Sequence, residues 1–158
     1  MDALKDLVCN FPLACAVTGW FVAQILKIFT GVFKERKFSV AAMLFGTGGM
    51  PSSHSAAVCS LCVACAIEYG LGSAVFAISA LLCVIVMRDA TGVRWETGEQ
   101  AKVLNRIMRD LFDPTQGEHI DKNLKELVGH TPLQVFIGAI IGIIVPFPMM
   151  ALPYFGLV

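Results

Sequence analysis

Charge is what this chain has least of: only 15% of its 158 residues are Asp, Glu, Lys or Arg, against about 25% in an ordinary soluble domain. A surface facing water on every side needs more, so the composition argues against a soluble globule. A hydrophobic share of 56% argues equally against a disordered chain. Net charge is also missing, since 12 basic residues balance 12 acidic ones; a nucleic-acid binder would need a basic excess, so nucleic acid is excluded as the main partner. Metal-ligand spacing is absent too. The one suggestive run, Cys59, Cys62 and Cys65, falls on one stripe of an apolar helix with no His or acid beside it. There cysteine acts as a small hydrophobe, and neither a disulfide nor a structural metal is expected.

What remains is a set of long uncharged tracts, which predicts one all-helical integral membrane domain over residues 1–158. The first span covers Cys9 to Phe33, interrupted only by Lys27. The leader Met1 to Asp6 is acidic on balance and Lys27 sits within the apolar run, so a cleaved signal peptide is not expected. Apolar runs from Ser55 to Ile67 and from Ser73 to Met87 flank Gly70-Leu-Gly72 and suggest an antiparallel pair. A last run, Leu133 to Val158, contains Gly138-x-x-x-Gly142, a face for close helix contact within the chain or with a second copy. Pro146, Pro148 and Pro153 then kink or break it. About four spans result.

Between spans three and four, Leu104, Ile107, Met108 and Leu111 recur at helical spacing opposite Lys102, Arg106, Arg109 and Asp110. That pattern predicts an amphipathic helix at the membrane surface. Cations fall after span one (Lys34, Arg36, Lys37) and between spans three and four (Arg88, Arg94, Lys102, Arg106, Arg109, Lys122, Lys125), while the opposite side has only Lys5. The positive-inside bias puts both charged loops in the cytoplasm.

Two polar tracts stand at the mouths of spans. In Met50-Pro-Ser-Ser-His54, Pro51 precedes a helix start that Ser52 or Ser53 caps, so backbone N–H groups point outward and suit an anion. His54, in the first turn, is placed to donate a proton. In Gly129-His-Thr-Pro-Leu-Gln134, His130 lies on the same predicted membrane face. Two histidines, cations and a helix start on one face suit phosphoryl transfer, with one imidazole attacking phosphorus and the other protonating the departing oxygen. Each histidine taken alone also fits a plain interfacial residue. Lys27 is the most conspicuous cation, because a charge near a span's end either snorkels or binds something.

The tracts PSSHSA and GHTPLQVFIGAIIG resemble two of the three signature motifs of the type 2 phosphatidic acid phosphatase superfamily, which includes vanadium haloperoxidases. With GGMPSSHSA, VMRDATGVR and LKELVGHTP, nearly the whole chain is similar to that superfamily's divergent, short membrane branch. The resemblance implies that His130 is a nucleophile forming a phosphohistidine and His54 the general acid. The first motif is matched in part, by Lys27 and Lys34 with no proline after. Ser53 replaces a glycine, Gln134 stands where the aspartate that orients the nucleophile belongs, and Leu124 stands in place of an arginine. The candidates to replace that arginine and aspartate are Arg94 as a phosphate clamp and Asp89 as an orienting acid, with Glu96, Glu99 and Gln100 close by; a helix end obeying the positive-inside bias explains the same residues.

The expected protein is therefore a bacterial inner-membrane phosphatase of a lipid-linked phosphate ester. Its site opens to the cytoplasm, with Lys27, Lys34, Ser52, Ser53 and Arg94 binding phosphate and Asp89 and Gln134 supporting the histidines. It needs no cofactor, and a homodimer would complete its short bundle. The rival is a non-catalytic membrane protein that keeps the phosphate pocket to bind a lipid headgroup or a protein partner. A small transporter has little support, because the spans hold no acid except Glu68.

Overall fold

A computed structural model describes residues 6–35, 50–111, 124, 130–153 and 155, with side chains at all of these but 31–35, 94 and 109–111. The described residues form helices α1 (Phe11–Glu35), α2 (Ser53–Tyr69), α3 (Ala74–Thr91), α4 (Val93–Leu111), α5 (Pro132–Ile144) and the short α6 (Pro146–Met150), with no strand among them. Three helical stretches are long and apolar enough to cross a bilayer: Phe11–Thr30, one within Ala74–Met108, and Pro132–Met150; α2 is a shorter apolar helix. Large apolar side chains point outward, Ile78 at 70% exposure and Leu81 at 62%. Those values fit a lipid-facing surface, where apolar exposure costs nothing.

The starts and stops follow local chemistry. Asn10 caps α1 by accepting the Leu13 N–H at 2.9 Å, Ser52 caps α2, Ser73 caps α3 and Thr131 caps α5. The turn from α2 to α3 needs Gly70 in the left-handed region at φ 79°, where a side chain would be strained. Pro146 interrupts the last apolar helix less than its position predicts. Val145 keeps helical dihedrals at φ −55° and ψ −42°, so the proline loses ladder hydrogen bonds without turning the chain.

The centre of the bundle is α2, because its side chains are small. Ser53, Ser55, Ala56, Cys59, Ser60, Ala64 and Cys65 are all buried, which lets α1, α3 and α5 approach it closely. Helix α1 runs antiparallel to it: Gly19 lies against Ser60 and Ala56, while Thr30, near the other end, donates to the Met50 carbonyl. Helix α3 is also antiparallel, with Cys59 Sγ 3.4 Å from Cys83 Sγ. Helix α5 runs parallel to α2, Gly138 lying against Ser52 and Gly142 against Ala56 and Cys59, with the Ser60 hydroxyl donating to the Gly142 carbonyl at 3.0 Å. The far end is closed by Phe11, Cys15 and Ala64, with Met149 and Met150 over them and the Phe155 ring edge-on to Phe11.

This arrangement corrects one expectation. The Gly138 and Gly142 face does not await a second copy; both glycines are buried against α2 of the same chain. The amphipathic helix is also longer than its charge pattern predicts: α4 begins at Val93, with Gly92 alone between it and the end of α3.

Candidate functional site

Two helix starts meet two helix ends. Because α2 and α5 are parallel and in register, their N-termini lie side by side, joined where the Ser52 N–H donates to the Gln134 carbonyl at 3.0 Å. The ends of the antiparallel neighbours arrive at the same place. Thr30 of α1 binds the Met50 carbonyl, and the Ala90 carbonyl of α3 accepts the His130 N–H at 3.1 Å. Each N-terminus carries roughly half a positive charge from its unsatisfied N–H groups, so the two together make an electropositive floor.

On this floor stand the two histidines from opposite halves of the sequence. Their ring centroids are 6.4 Å apart and the rings are tilted by 49°. That separation is too wide for stacking and narrow enough for one small group to touch both rings. His54 is exposed, whereas His130 is only 6% exposed.

The His130 ring is oriented by the helix that follows it. Thr131 and Gln134 form a capping box: the Thr131 hydroxyl accepts the Gln134 N–H at 3.3 Å, and Gln134 Oε1 accepts the Thr131 N–H at 3.1 Å. The same oxygen lies 3.2 Å from His130 Nδ1. A backbone N–H only donates, so Oε1 is an acceptor, and the ring nitrogen facing it carries the proton. Nε2 then holds the lone pair. Gln134 thus orients the ring as an aspartate would, without the charge that would stabilise an imidazolium.

The remaining predicted residues are spread unevenly around this centre. Lys27 is buried on α1, and Thr30, one turn on, shares its single hydroxyl proton between the Lys27 carbonyl at 3.1 Å and the Met50 carbonyl. Among the described residues no carboxylate forms an ion pair with it. Ser52 and Ser53 are both buried, and the Ser52 hydroxyl accepts from the Ser55 N–H at 3.4 Å and lies 3.0 Å from the Ser55 hydroxyl. Its oxygen is therefore engaged in shaping the helix start. Asp89 is partly buried in the last turn of α3, next to Ala90. Glu99 pairs with Lys102 at 2.7 Å on the half-exposed side of α4. The side chains of Lys34 and Arg94 lie outside the described residues, as do Lys122 and Lys125.

Leu124, in the arginine's place, has an exposed side chain and a tethered backbone. Asn105 of α4 donates to its carbonyl at 2.9 Å and accepts its N–H at 3.0 Å. Sequence reasoning missed Asn105 and Thr30, which bear no signature. It also missed the capping role of Gln134, which the spacing Thr131-x-x-Gln134 spells out.

The chain matches the Divergent PAP2 family over residues 8–145. It is also 41% identical to an uncharacterized membrane protein, YuiD, of Bacillus subtilis (strain 168), over 95% of this chain and 98% of that protein. No solved structure matches it. A match over most of the length, with the histidine tracts of the sequence meeting at one end of a membrane bundle, makes this chain a member of the Divergent PAP2 family.

Proposed function

We propose that the protein is a membrane phosphatase of a lipid-linked phosphate ester, working through a phosphohistidine. The observation that carries this reading is the approach of His54 and His130 to 6.4 Å over two adjacent helix N-termini. His130 Nε2 attacks phosphorus, and the bond from phosphorus to the lipid oxygen breaks as His54 gives that oxygen a proton. Water then attacks the phosphohistidine, His54 takes a proton from it, and phosphate and free His130 are regenerated. First-turn N–H groups of α2, Lys27, Ser53 and the cations Lys34 and Arg94 bind the phosphoryl oxygens, while Ser52, expected to bind phosphate as well, holds the helix start in shape. Asp89 and Gln134 support the histidines.

A substrate with its tails in the bilayer suits a site at the end of membrane helices. Phosphatidate, phosphatidylglycerophosphate and polyprenyl phosphates or diphosphates share that chemistry. The excess of cations in the two charged loops supports a site that opens to the cytoplasm. A second reading, a lipid-headgroup binder without turnover, draws on the neutral Gln134 and on Leu124.

The test is phosphate release by the purified protein in detergent from each of those lipids. Turnover that vanishes in His130→Ala, together with a covalent phosphoenzyme, supports the phosphatase. In His54→Ala the loss should be greatest for poor leaving groups. Headgroup binding with no turnover would leave the second reading standing.

A further inference from the structure

We propose that the groove between α1 and α2, walled by Ala16, Val17, Trp20 and Ala57, seats a hydrocarbon tail of the phosphate ester whose headgroup meets His54. This role rests on the phosphatase reading and extends it to the apolar part of the substrate. The hollow is about 250 Å³, and none of the four residues presents a polar atom to it. Water needs two or more polar partners to stay in such a place, so in a bilayer a lipid chain fills it. Its position decides which lipid. Ala57 follows His54 by three residues on the same face of α2, about 5 Å deeper in the bilayer, and Leu61 continues that face half-buried. Gly19 of α1 packs against Ser60, about 9 Å deeper than His54, which sets Trp20 at that depth and Val17 and Ala16 about one turn further. The groove thus leads from the exposed imidazole into the hydrocarbon layer, and a chain lying in it carries its phosphate to the two histidines. The Trp20 ring is braced edge-on by Phe21 at 4.9 Å, so this wall stands ready before a chain arrives. Selection is by fit: a tail leaves lipid that is as apolar as the groove, so only packing distinguishes the two.

The test uses a phosphatidate with a diazirine on one acyl chain, photolysed with the full-length protein in a bilayer. Mass spectrometry of the labelled peptides reads the position of the tail without needing turnover. Label should concentrate at residues 16–20 and 57–61 and fall there in Ala57→Leu and Val17→Trp. Val17 is already 46% exposed, so a larger ring fills the groove from the lipid side without entering the core. Both variants should raise KM for dipalmitoyl phosphatidate by about fivefold with kcat little changed, the worth of a handful of lost carbon contacts. Phenyl phosphate, which has no tail, should be hydrolysed as by wild type. Label spread evenly over the exposed faces of α1, α3 and α5 overturns the proposal, and so does an equal loss with phenyl phosphate in both variants, which marks damage to the bundle. If wild type releases no phosphate from any lipid, the phosphatase reading falls, while the labelling pattern still decides whether the groove holds a tail.

Discussion

Replacing Gly138 by alanine tests the parallel packing on which the site depends. A Cβ at this position would lie 2.4 Å from the Ser52 carbonyl oxygen and 3.1 Å from Ser55 Cβ, where ordinary contact begins at 3.4 Å. Helix α5 must therefore retreat from α2 by about 1 Å, since the main obstacle is a backbone oxygen that no rotamer change can move. Such overpacking costs about 1 to 3 kcal/mol. The same retreat stretches the 3.0 Å bond from Ser52 to Gln134 past useful length, adding about 1 kcal/mol. The expected loss is roughly 2 to 4 kcal/mol in unfolding from mixed micelles. Because His54 stands in the first turn of α2 and His130 directly before the Thr131 cap of α5, kcat should fall by about 10²-fold as well. Gly72→Ala is the matched control: a Cβ there meets nothing within 4 Å, so its stability should equal or slightly exceed wild type. Should Gly138→Ala prove as stable and active as Gly72→Ala, α2 and α5 do not touch as described.

Three further outcomes follow from the site. Gln134→Glu keeps the capping box and adds a charge beside His130, so kcat should rise by about tenfold, equivalent to ~1.4 kcal/mol of imidazolium stabilisation; a fall would show that Gln134 does not face the reacting ring. Vanadate should inhibit the wild type competitively, because its five-coordinate form mimics the phosphoryl transition state, and direct binding of vanadate should be lost in His130→Ala. Activity should also persist in EDTA, and loss on chelation with recovery on Mg²⁺ would replace the histidine mechanism by a metal-assisted one. For orientation, Gln116→Cys in a cysteine-free background should react with an impermeant thiol reagent only after cell lysis; labelling of intact cells would turn the site outward and favour polyprenyl diphosphates as substrates.

The spans were legible because lipid imposes length and apolarity: α1, α2 and α3 fall within four residues of the expected runs, while the last helices end at Met150, short of the expected Val158. The N-cap at Ser52 was legible for a local reason, since a Pro-Ser sequence before an apolar run has few other uses. The partner of Gly138 and Gly142 was not. Small residues permit close approach without naming what approaches, and α2 advertises itself only by its own run of Ser, Ala and Cys. Gln134 reads as a deficient aspartate where the superfamily pattern has an acid, although its spacing from Thr131 already spells a capping box. Asn105 was beyond reach, because pairing with the backbone of a distant residue leaves no mark in spacing or periodicity. The junction at Gly92 was missed because a change from apolar to charged residues reads as a loop, although a helix passes from bilayer to surface with that change and little break.

The brevity of α2 has a consequence for the surrounding membrane. Its 17 residues rise about 26 Å at 1.5 Å each, while the hydrocarbon layer is about 30 Å thick. Surrounded by α1, α3 and α5, it takes up that shortfall inside the protein, where its buried run of Ser, Ala and Cys packs against them, rather than against lipid. The thickness of the membrane is then matched by the longer outer helices, so a change in lipid chain length should act on α1, α3 and α5 before it reaches the histidines.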